Sequence, residues 1–252
     1  MNVLLIGGAG HVGTFITPYL MQKHRLRVLD VRPPKHEGVE YAEGSVTDEA
    51  AILRALQGMD TFIWLVMKSP QGGSVTDQTP QVIIDNYTVN NLGLHLFLWL
   101  AQGAGIKRGV YTSTMSVHYR ERPYYYSEEA TAYDTPSAYG LSKGFGEQIC
   151  RYFARWFDMN LIGLRITGPR TRQQWTEERR APKHREGSAK VYVTDEEDLA
   201  NAYLAALEAV QTGHGRFDAV FITGDEKGEA HNLSKAKRLL GWEPRTHLRV
   251  RT

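Results

Sequence analysis

Short apolar runs alternate along the chain with longer stretches in which apolar residues recur every three or four positions. The first pattern predicts strands, and the second predicts helices that bury one face. The run 61–66 is apolar without alternation, which is typical of a strand covered on both faces. Strands are predicted at 2–6, 26–30, 60–66, 108–113, 160–166 and 217–222. Helices are predicted near 11–23, 48–57, 81–102, 137–157 and 195–211. This order predicts an α/β fold built on a doubly wound parallel sheet.

Two polar segments interrupt the alternation, and both follow predicted strands. Residues 68–80 are rich in Gly, Ser, Thr and Pro, while 170–190 carry five Arg, two Lys and one His. Ligands of open parallel sheets bind at the ends of the strands from which these segments emerge. The first segment is open to two interpretations, a solvated loop or a flap on the substrate side.

The chain of 252 residues is long enough to bury one full α/β core. Its last stretch predicts a helix that is capped by Asn232 and ended by Gly241. We therefore expect a single domain over 1–252, in which 170–190 and 225–252 form a small lobe on the substrate side.

Composition argues against several classes of protein. Hydrophobic residues make up 42% of the chain and charged residues 23%, as in ordinary globular proteins. Thirty basic and 28 acidic residues give a net charge of +2, too small to indicate binding to nucleic acid or a membrane surface. The longest apolar run, 92–100, contains His95 and is far shorter than a membrane span, and we expect no targeting signal. The single Cys150 is expected in the core and fits a reducing cytoplasm, and no metal site is predicted.

A glycine-rich turn follows the first predicted strand and precedes the first helix. Gly7, Gly10 and Gly13 leave room for a sharp turn, for the backbone to approach a pyrophosphate, and for close packing of the helix on the strand. The free N–H groups at the start of that helix favour phosphate. The pattern predicts a dinucleotide site, and the alternative is a glycine-rich turn that holds no ligand.

Asp30 ends the second predicted strand, where a carboxylate accepts hydrogen bonds from a ribose 2′-hydroxyl and repels a 2′-phosphate. This position favours NAD over NADP. Arg32 leaves the choice open, because a guanidinium there is able to bind a 2′-phosphate or to stack beside the adenine.

Tyr139 and Lys143 are four residues apart at the start of a predicted helix and so share one face. An ammonium close to a phenol favours the phenolate and lowers the phenol's pKa, which makes the phenol a usable acid and base at neutral pH. We therefore predict that Tyr139 carries the proton and that Lys143 assists it.

Hydroxyl side chains end the predicted strand 108–113 and are expected above the cofactor. Thr114 is our choice for the group that holds the reacting oxygen of the substrate beside Tyr139. Ser113 is the alternative, and the hydroxyls could also serve merely to cap the strand.

The chain resembles the extended short-chain dehydrogenases/reductases, in particular the NAD-dependent epimerase/dehydratase family. The resemblance covers essentially the whole chain. The matching segments are GGAGHVG at 7–13, LDVR at 29–32, NNLG at 90–93, VYTSTMSVHY at 110–119, YGLSK at 139–143, LRITGPR at 164–170, VYVTDEEDLANAYLAAL at 191–207 and LSKAKRLLGWEPRT at 233–246.

This resemblance implies a Rossmann fold and an NAD-dependent oxidation or reduction of a carbohydrate-like hydroxyl or carbonyl. It implies that Thr114, Tyr139 and Lys143 are catalytic, and that Lys143 also holds the nicotinamide ribose. Further residues are expected near the cofactor, namely His11, Val12, Ser45, Val46, Leu65, Val66, Met67, Asn90 and Thr167. Ser45 stands where the family commonly has an Asp that touches the adenine. The run from Leu65 to Met67 is bulkier than usual in the family and would narrow the pocket.

Three functions remain open. The first is an oxidoreductase for a small sugar or sugar acid, similar to the short uronate dehydrogenases of the superfamily, because the chain has little with which to build a nucleotide-binding lobe. The basic segment 170–190 adds slight support for an acidic substrate. The second is a nucleotide-sugar 4-epimerase or dehydratase. The third is a non-catalytic protein that senses NAD(P), although such proteins generally lack the Tyr and Lys pair.

The stretches 82–102 and 145–157 are apolar around more of their circumference than one sheet covers. The residues concerned are Leu94, Phe97, Leu98, Trp99, Phe145, Tyr152, Phe153, Trp156 and Phe157. Extended relatives commonly pair these helices in a four-helix bundle, so we predict a homodimer. The alternative is that the loops 68–80 and 170–190 cover the excess apolar surface within one chain.

Overall fold

The computed structural model describes residues 1–68, 73–119, 121–180, 191–214 and 216–250. The strands are β1 (Asn2–Ile6), β2 (Arg25–Asp30), β3 (Glu40–Glu43), β4 (Thr61–Trp64), β5 (Arg108–Thr114), β6 (Asn160–Ile166), β7 (Pro169–Arg170), β8 (Thr194–Asp195) and β9 (Phe217–Ile222). The helices are α1 (His11–Leu20), α2 (Glu49–Leu56), α3 (Pro80–Asn86), α4 (Gly93–Gly103), α5 (Ala138–Trp156), α6 (Arg172–Arg180), α7 (Glu196–Thr212), α8 (Ser234–Leu240) and α9 (Thr246–Arg249). Short 3₁₀ turns lie at Val75–Asp77 and Met115–Val117, and a π-helical segment lies at Tyr87–Leu92.

Seven of the described strands form one parallel sheet in the order β3-β2-β1-β4-β5-β6-β9. The order reverses at β1, which lies between β2 and β4. All seven carboxyl ends therefore meet at one edge, and the crevice at the reversal is where such sheets bind ligands. The predicted α/β, doubly wound fold is confirmed.

Helices cover both faces of the sheet. One core cluster joins alternate strand residues to α1 and α7, and the other joins the intervening residues to α2, α4 and α5. Leu5 belongs to the first cluster and Leu4 to the second, and neither is exposed. This two-sided burial explains why the central strands are apolar without alternation.

Several elements differ from the sequence-based expectation, among them the short strands β7 and β8 and the helix α9, which were not predicted. β3 was not predicted, because this edge strand is polar and at most half-buried, so it has no apolar run. The helix predicted over 81–102 is three segments, because the π-helical turns interrupt the regular hydrogen bonding. α6 lies within the polar segment 170–190, where a loop was expected, and residues 181–190 of that segment lie outside the described residues.

The carboxyl-terminal helix α8 begins two residues after Asn232, with Leu233 at the capping position. The Asn232 side chain nevertheless accepts a hydrogen bond from Ser234 N at 3.0 Å, and Gly241 ends the helix in the left-handed conformation, as predicted. The lobe predicted from 170–190 and 225–252 stays a prediction. One contact between its two parts is the ion pair of Arg179 with Glu226, at 2.6 Å.

Asp198 on α7 anchors the end of the described chain. Its Oδ2 accepts hydrogen bonds from Arg245 N, Thr246 N and Thr246 Oγ1 at 2.6–2.8 Å, and its Oδ1 pairs with Arg249 Nη1 at 2.8 Å. Its backbone oxygen accepts a bond of 2.8 Å from the Trp242 indole. One buried carboxylate thus holds the segment that follows α8 against α7.

We expect Asp198→Asn to lower the free energy of unfolding by about 2–3 kcal/mol, because an amide cannot satisfy four donors and leaves Arg249 with only its longer ion pair, to Glu197 at 3.5 Å. Urea unfolding measures the change. Glu208→Gln, an exposed substitution on the same helix, is the control and should be neutral. An equal effect of the two substitutions would contradict the anchoring role.

Candidate active site

The glycine-rich turn lies between β1 and α1 at the carboxyl edge of the sheet. Gly7 has φ +80°, and a Cβ there would lie 2.8 Å from Val66 N. A Cβ on Gly13 would lie 2.2 Å from Gly8 O, so only glycine lets α1 pack this closely. Gly10 is the N-cap of α1, and no described side chain caps the helix. The result is an uncapped helix start behind a side-chain-free turn, a shape that fits a pyrophosphate.

Asp30 ends β2 next to this turn. Its Oδ2 accepts a hydrogen bond from Ala9 N at 3.0 Å, and its Oδ1 accepts one from Arg32 N at 3.2 Å. These bonds fix the carboxylate and leave further lone pairs for a ribose hydroxyl. The Arg32 side chain is exposed.

The other residues expected near the cofactor have varied surroundings. His11 is exposed on the first turn of α1 and packs on Phe15, while Val12 is half-buried. Ser45 bonds the Thr47 hydroxyl at 2.9 Å, and the buried Val46 packs against Gly93, where a Cβ would meet it at 2.6 Å.

Two more of the expected residues directly follow sheet strands. Leu65 comes after β4 and bonds Ile6 O at 2.8 Å, and Thr167 comes after β6 and donates its hydroxyl to Tyr192 O at 2.9 Å. The parallel sheet thus brings the ends of β1, β2, β4, β5 and β6 to one edge.

The hydroxyls at the end of β5 have separate partners. Thr112 bonds the Tyr203 hydroxyl at 2.7 Å, and Ser113 donates to a Glu147 carboxylate oxygen at 2.5 Å. Thr114 Oγ1 caps the turn Met115–Val117 by accepting a hydrogen bond from Ser116 N at 3.1 Å, and the same side chain also interacts with the Tyr139 phenol. This favours Thr114 over Ser113 as the hydroxyl that faces a substrate.

Tyr139 lies in the first turn of α5, which begins after the N-cap Ser137. Burial raises the pKa of Tyr139 to about 12, and the bond with Thr114 offsets only part of this rise. The phenol also donates to Met67 Sδ at 3.5 Å. The expectation that Lys143 lowers this pKa is wrong, because burial raises it and Thr114, not Lys143, is the group that opposes the rise.

Lys143 is 1% exposed, and its ammonium lies 4.5 Å from the centre of the Tyr111 ring. No described residue accepts a hydrogen bond from this ammonium. Burial lowers its pKa to about 7, while the negative charge of Glu147 acts in the opposite direction. Lys143 is therefore poised to change its charge near neutral pH.

Asn90 lies in the π-helical segment and is fully buried. Its amide nitrogen donates to Asn86 Oδ1 and Ser142 Oγ, both at 3.0 Å, and its oxygen accepts from Lys68 N at 2.9 Å. Asn90 thus ties the segment after β4 to α5 between Tyr139 and Lys143. The π turn adds a residue to the helix and so turns Asn90 inward.

An ion pair that sequence reasoning missed lies beside these residues. Arg165 and Glu147 are completely buried and make two parallel bonds, Nε to Oε1 at 2.9 Å and Nη2 to Oε2 at 2.8 Å. Arg165 also donates to Glu128 O and to the Tyr133 hydroxyl. An Arg within the apolar strand 160–166 was the available signal, because a buried guanidinium requires a carboxylate.

In the described part of the basic segment 170–190, ion pairs with acidic residues neutralise most of the positive charge. Arg170 pairs with Glu178, Arg179 with Glu226, and Arg172 with two acidic residues of the β8–α7 junction, Asp195 and Glu197. These pairs leave little free positive charge for an acidic substrate, so the slight support from 170–190 is not strengthened.

The described residues give little support for a metal site, a membrane-spanning helix or a reactive thiol. No cluster of His, Cys, Asp and Glu in the described ranges could hold a metal ion, and no helix there has the length and apolar character to cross a bilayer. Cys150 is buried, and burial raises the pKa of its thiol, so it stays protonated and unreactive.

The reversed parallel sheet and the glycine cradle define a Rossmann-type dinucleotide-binding protein. The sequence matches the model of the NAD dependent epimerase/dehydratase family over residues 3–220. The chain belongs to this family, and NAD is the family's cofactor.

Several characterised proteins are similar to this chain. An L-arabinose 1-dehydrogenase (NAD(P)(+)) of Haloferax volcanii is 30% identical over 70% of this chain and 72% of its own length. An NAD-dependent glucose-6-phosphate dehydrogenase of the same organism is 24% identical over 96% of this chain and 92% of its own length. A 3 beta-hydroxysteroid dehydrogenase/Delta 5→4-isomerase of Mycobacterium tuberculosis is 36% identical over 46% of this chain, and the match spans 32% of that protein.

Solved structures share the fold. A mutated uronate dehydrogenase has a TM-score of 0.75 at 23% identity, over 96% of this chain and 81% of its own. UDP-glucose 4-epimerase from Brucella ovis in complex with NAD has a TM-score of 0.76 at 17% identity, over 96% of this chain and 93% of its own. At these identities the likeness establishes the architecture alone.

We expect Lys143→Met to stabilise the cofactor-free protein at pH 7 by roughly 1–3 kcal/mol, since one pKa unit corresponds to ~1.4 kcal/mol and relaxation offsets part of the burial penalty. The folded-state pKa of Lys143, about 7, is below its ordinary value of 10.5, so the unfolded chain binds more protons between these pH values. The penalty is therefore complete below pH 7 and is relieved as pH rises through this window.

Urea unfolding of the wild type and the variant from pH 6 to 10 measures the difference, which should shrink as pH rises. Lys107→Met, at an exposed lysine before β5, is the control and should give a flat difference. A pH-independent difference for Lys143→Met would show that its ammonium is not desolvated.

Proposed function

We propose that the protein is an NAD-dependent oxidoreductase that oxidises or reduces a small sugar by hydride transfer, with Tyr139 as the acid and base. The observation that carries this proposal is the meeting of Thr114 and Tyr139, with Lys143 one turn further along α5, at the same sheet edge as the glycine cradle. The two sugar dehydrogenases among the relatives support the substrate class.

Thr114 and Tyr139 have different roles in the proposed reaction. The substrate oxygen would lie between the Thr114 hydroxyl and the Tyr139 phenol, where both are able to bond it. Tyr139 takes the proton of a hydroxyl during oxidation and returns it to a carbonyl oxygen during reduction. NAD, when bound, accepts or donates the hydride.

The high pKa of Tyr139 in the free protein makes the neutral phenol a ready proton donor. Oxidation needs the phenolate instead, and positive charge placed beside the phenol lowers the cost of forming it. Protonated Lys143 on the same helix supplies such charge, and we assign it the nicotinamide ribose as well. Oxidation should therefore become faster as pH rises, as far as Lys143 keeps its proton.

We assign the cofactor contacts from the positions of these residues at the carboxyl edge of the sheet and from the family resemblance. The start of α1, with Gly7, Gly10 and Gly13, holds the pyrophosphate, and Asp30 holds the adenosine ribose and selects NAD. The remaining assigned contacts are His11, Val12, Arg32, Ser45, Val46, Leu65, Val66, Met67, Asn90 and Thr167. Arg170, Arg172 and Arg179 are already paired with carboxylates, so the described part of the basic segment adds no support for an acidic sugar.

We expect Tyr139→Phe to lose at least ~100-fold in turnover, because it removes the transferable proton and keeps the ring. NAD affinity should stay within about twofold, because the phenol hydroxyl is not needed to hold the pyrophosphate. The assay is NADH absorbance over a panel of aldoses and uronic acids, with fluorescence titration of NAD. Tyr126→Phe is the control, at an exposed tyrosine. A Tyr139→Phe enzyme that retained a tenth of the wild-type rate would require another acid and base.

We expect Asp30→Ala to lose ~1–3 kcal/mol of discrimination against NADP, because it removes the charge that repels a 2′-phosphate and retains Arg32. Fluorescence titration with NAD and NADP measures the ratio of dissociation constants. Asp60→Ala, at the opposite edge of the sheet, should leave the ratio unchanged. Equal affinity of the wild type for both cofactors would overturn the role of Asp30.

We also propose a homodimer through α4 and α5. Trp99, Phe145, Tyr152 and Trp156 are 44–64% exposed on these two helices. The other apolar residues of the two stretches are covered: Leu94, Phe97, Leu98 and Phe153 are buried, and Phe157 is half-buried. Four exposed aromatic rings on adjacent helices form the kind of surface that a second copy covers in a two-fold dimer.

We expect Trp156→Glu to convert the dimer to a monomer, because the dimer would have to bury an unpaired carboxylate. Light scattering coupled to size exclusion at micromolar concentration gives the mass. Leu248→Glu, at a 71% exposed leucine on α9, should leave the mass unchanged. A monomeric wild type would refute the dimer.

A further inference from the structure

Glu147 is a buried carboxylate one helical turn after Lys143 on α5. Besides its two bonds from Arg165, it accepts hydrogen bonds from Ser113 Oγ at 2.5 Å and Tyr133 Oη at 2.6 Å. The carboxylate is 0% exposed, and these four bonds lower its pKa despite burial. Glu147 is therefore ionised at neutral pH.

These bonds join the elements that carry the proposed catalytic groups. Ser113 precedes Thr114 on β5, and Arg165 lies opposite Ser113 on the neighbouring strand β6. Tyr139 and Lys143 lie on the same helix as Glu147. A shift of α5 against the sheet would break several of these bonds together, so the ion pair fixes the distance between Thr114 and Tyr139.

The neighbours of Arg165 hold the ion pair of Arg165 and Glu147 in one geometry. Its Nη1 lies 3.0 Å from His118 Nε2, and burial lowers the pKa of His118 to about 4, so this imidazole is neutral at pH 7. His118 Nδ1 in turn bonds Ala132 O at 2.6 Å. Glu147 is thus the carboxylate partner of Arg165, and Arg165 holds it in one orientation.

The charge of Glu147 also acts on Lys143. The titratable groups next to Lys143 are Tyr111 from β5 and Glu147 and Cys150 from α5. Tyr139 lies one turn earlier on α5, and Arg165 from β6 and Tyr133 lie behind Glu147. The phenols of Tyr111 and Tyr139 and the thiol of Cys150 all have pKa values raised by burial and are neutral at pH 7. Glu147 is the negative charge in this group.

We propose that Glu147 is a positioning residue for the reaction: clamped by Arg165, it fixes α5 against β5 and places a negative charge one helical turn after Lys143. This inference rests on the proposed function, in which Lys143 assists Tyr139. It assigns no contact between Glu147 and the substrate.

The first test separates charge from packing. Glu147→Gln alone leaves Arg165 buried without its counter-charge and should lower Tm strongly. The double variant Glu147→Gln/Arg165→Met removes both charges and should recover most of the lost Tm. In this variant the titration midpoint of Lys143 should still fall, by up to about one pH unit, because Glu147, one helical turn away, acts on Lys143 more strongly than Arg165, whose loss offsets part of the fall.

The midpoint is measured on the protein labelled with ¹³C-lysine, from the pH dependence of the Lys143 Cε signal, which Lys143→Met identifies. The alkaline limb of kcat/KM should shift by the same amount. Asp198→Asn is the matched control, a buried carboxylate that pairs with Arg249 away from α5, and it should lower Tm without moving the Lys143 midpoint. An unchanged Lys143 midpoint in the double variant would overturn the electrostatic role.

Arg165→Lys tests the geometric role and keeps the charge balance. An ammonium cannot make the two parallel bonds, so kcat should fall at least fivefold while the Lys143 midpoint stays within a few tenths of a unit. Wild-type kcat in this variant would overturn the positioning role. The proposed function fails separately, if Tyr139→Phe stays active, and the NMR titration needs no substrate and stands in either case.

Discussion

The parallel direction of every strand in the main sheet is the constraint on which the site depends. Residues that are far apart in sequence, from Gly7 to Thr167, meet because each directly follows a strand whose carboxyl end lies at the same edge. Parallel strands need crossover helices, and these cover both faces of the sheet with apolar side chains. The same arrangement that closes the two cores therefore collects the polar residues at the carboxyl edge of the sheet, beside the reversal of strand order at β1.

Loss of hydration controls the protonation of the titratable side chains at this edge of the sheet. Lys143 is buried and Tyr139 is half-buried, and burial moves the pKa of the phenol up and that of the ammonium down. Both shifts favour neutral side chains in the free protein. The buried Glu147 and Arg165 remain ionised because each satisfies the other through two parallel bonds. A bound cofactor and substrate would change the balance at Tyr139 and Lys143 far more than at this closed pair.

Sequence reasoning located the glycine turn, Asp30 and the pair of Tyr139 and Lys143, because local spacing carries those signals. It could not choose firmly between Ser113 and Thr114, which are adjacent on one strand. The choice between these two hydroxyls depends on Glu147, which lies 34 positions along the chain from Ser113 and accepts a hydrogen bond from the Ser113 hydroxyl. Reasoning from charge alone also gave the wrong direction for the pKa of Tyr139, because the degree of burial is a property of the packed molecule.

The sequence by itself determined the order of strands and helices, the dinucleotide turn and the family, because periodicity, glycine placement and short motifs are local. Only the tertiary structure decided which polar groups pair. Three features depend on neighbours that are distant in sequence or packed from another element. They are the polar edge strand β3, the π turn that brings the Asn90 amide to Ser142, and the ion pairs that neutralise Arg170, Arg172 and Arg179. The physical reason is that hydrogen bonds and desolvation are set by distances of a few ångströms in the folded chain, which the pattern of a single sequence does not encode.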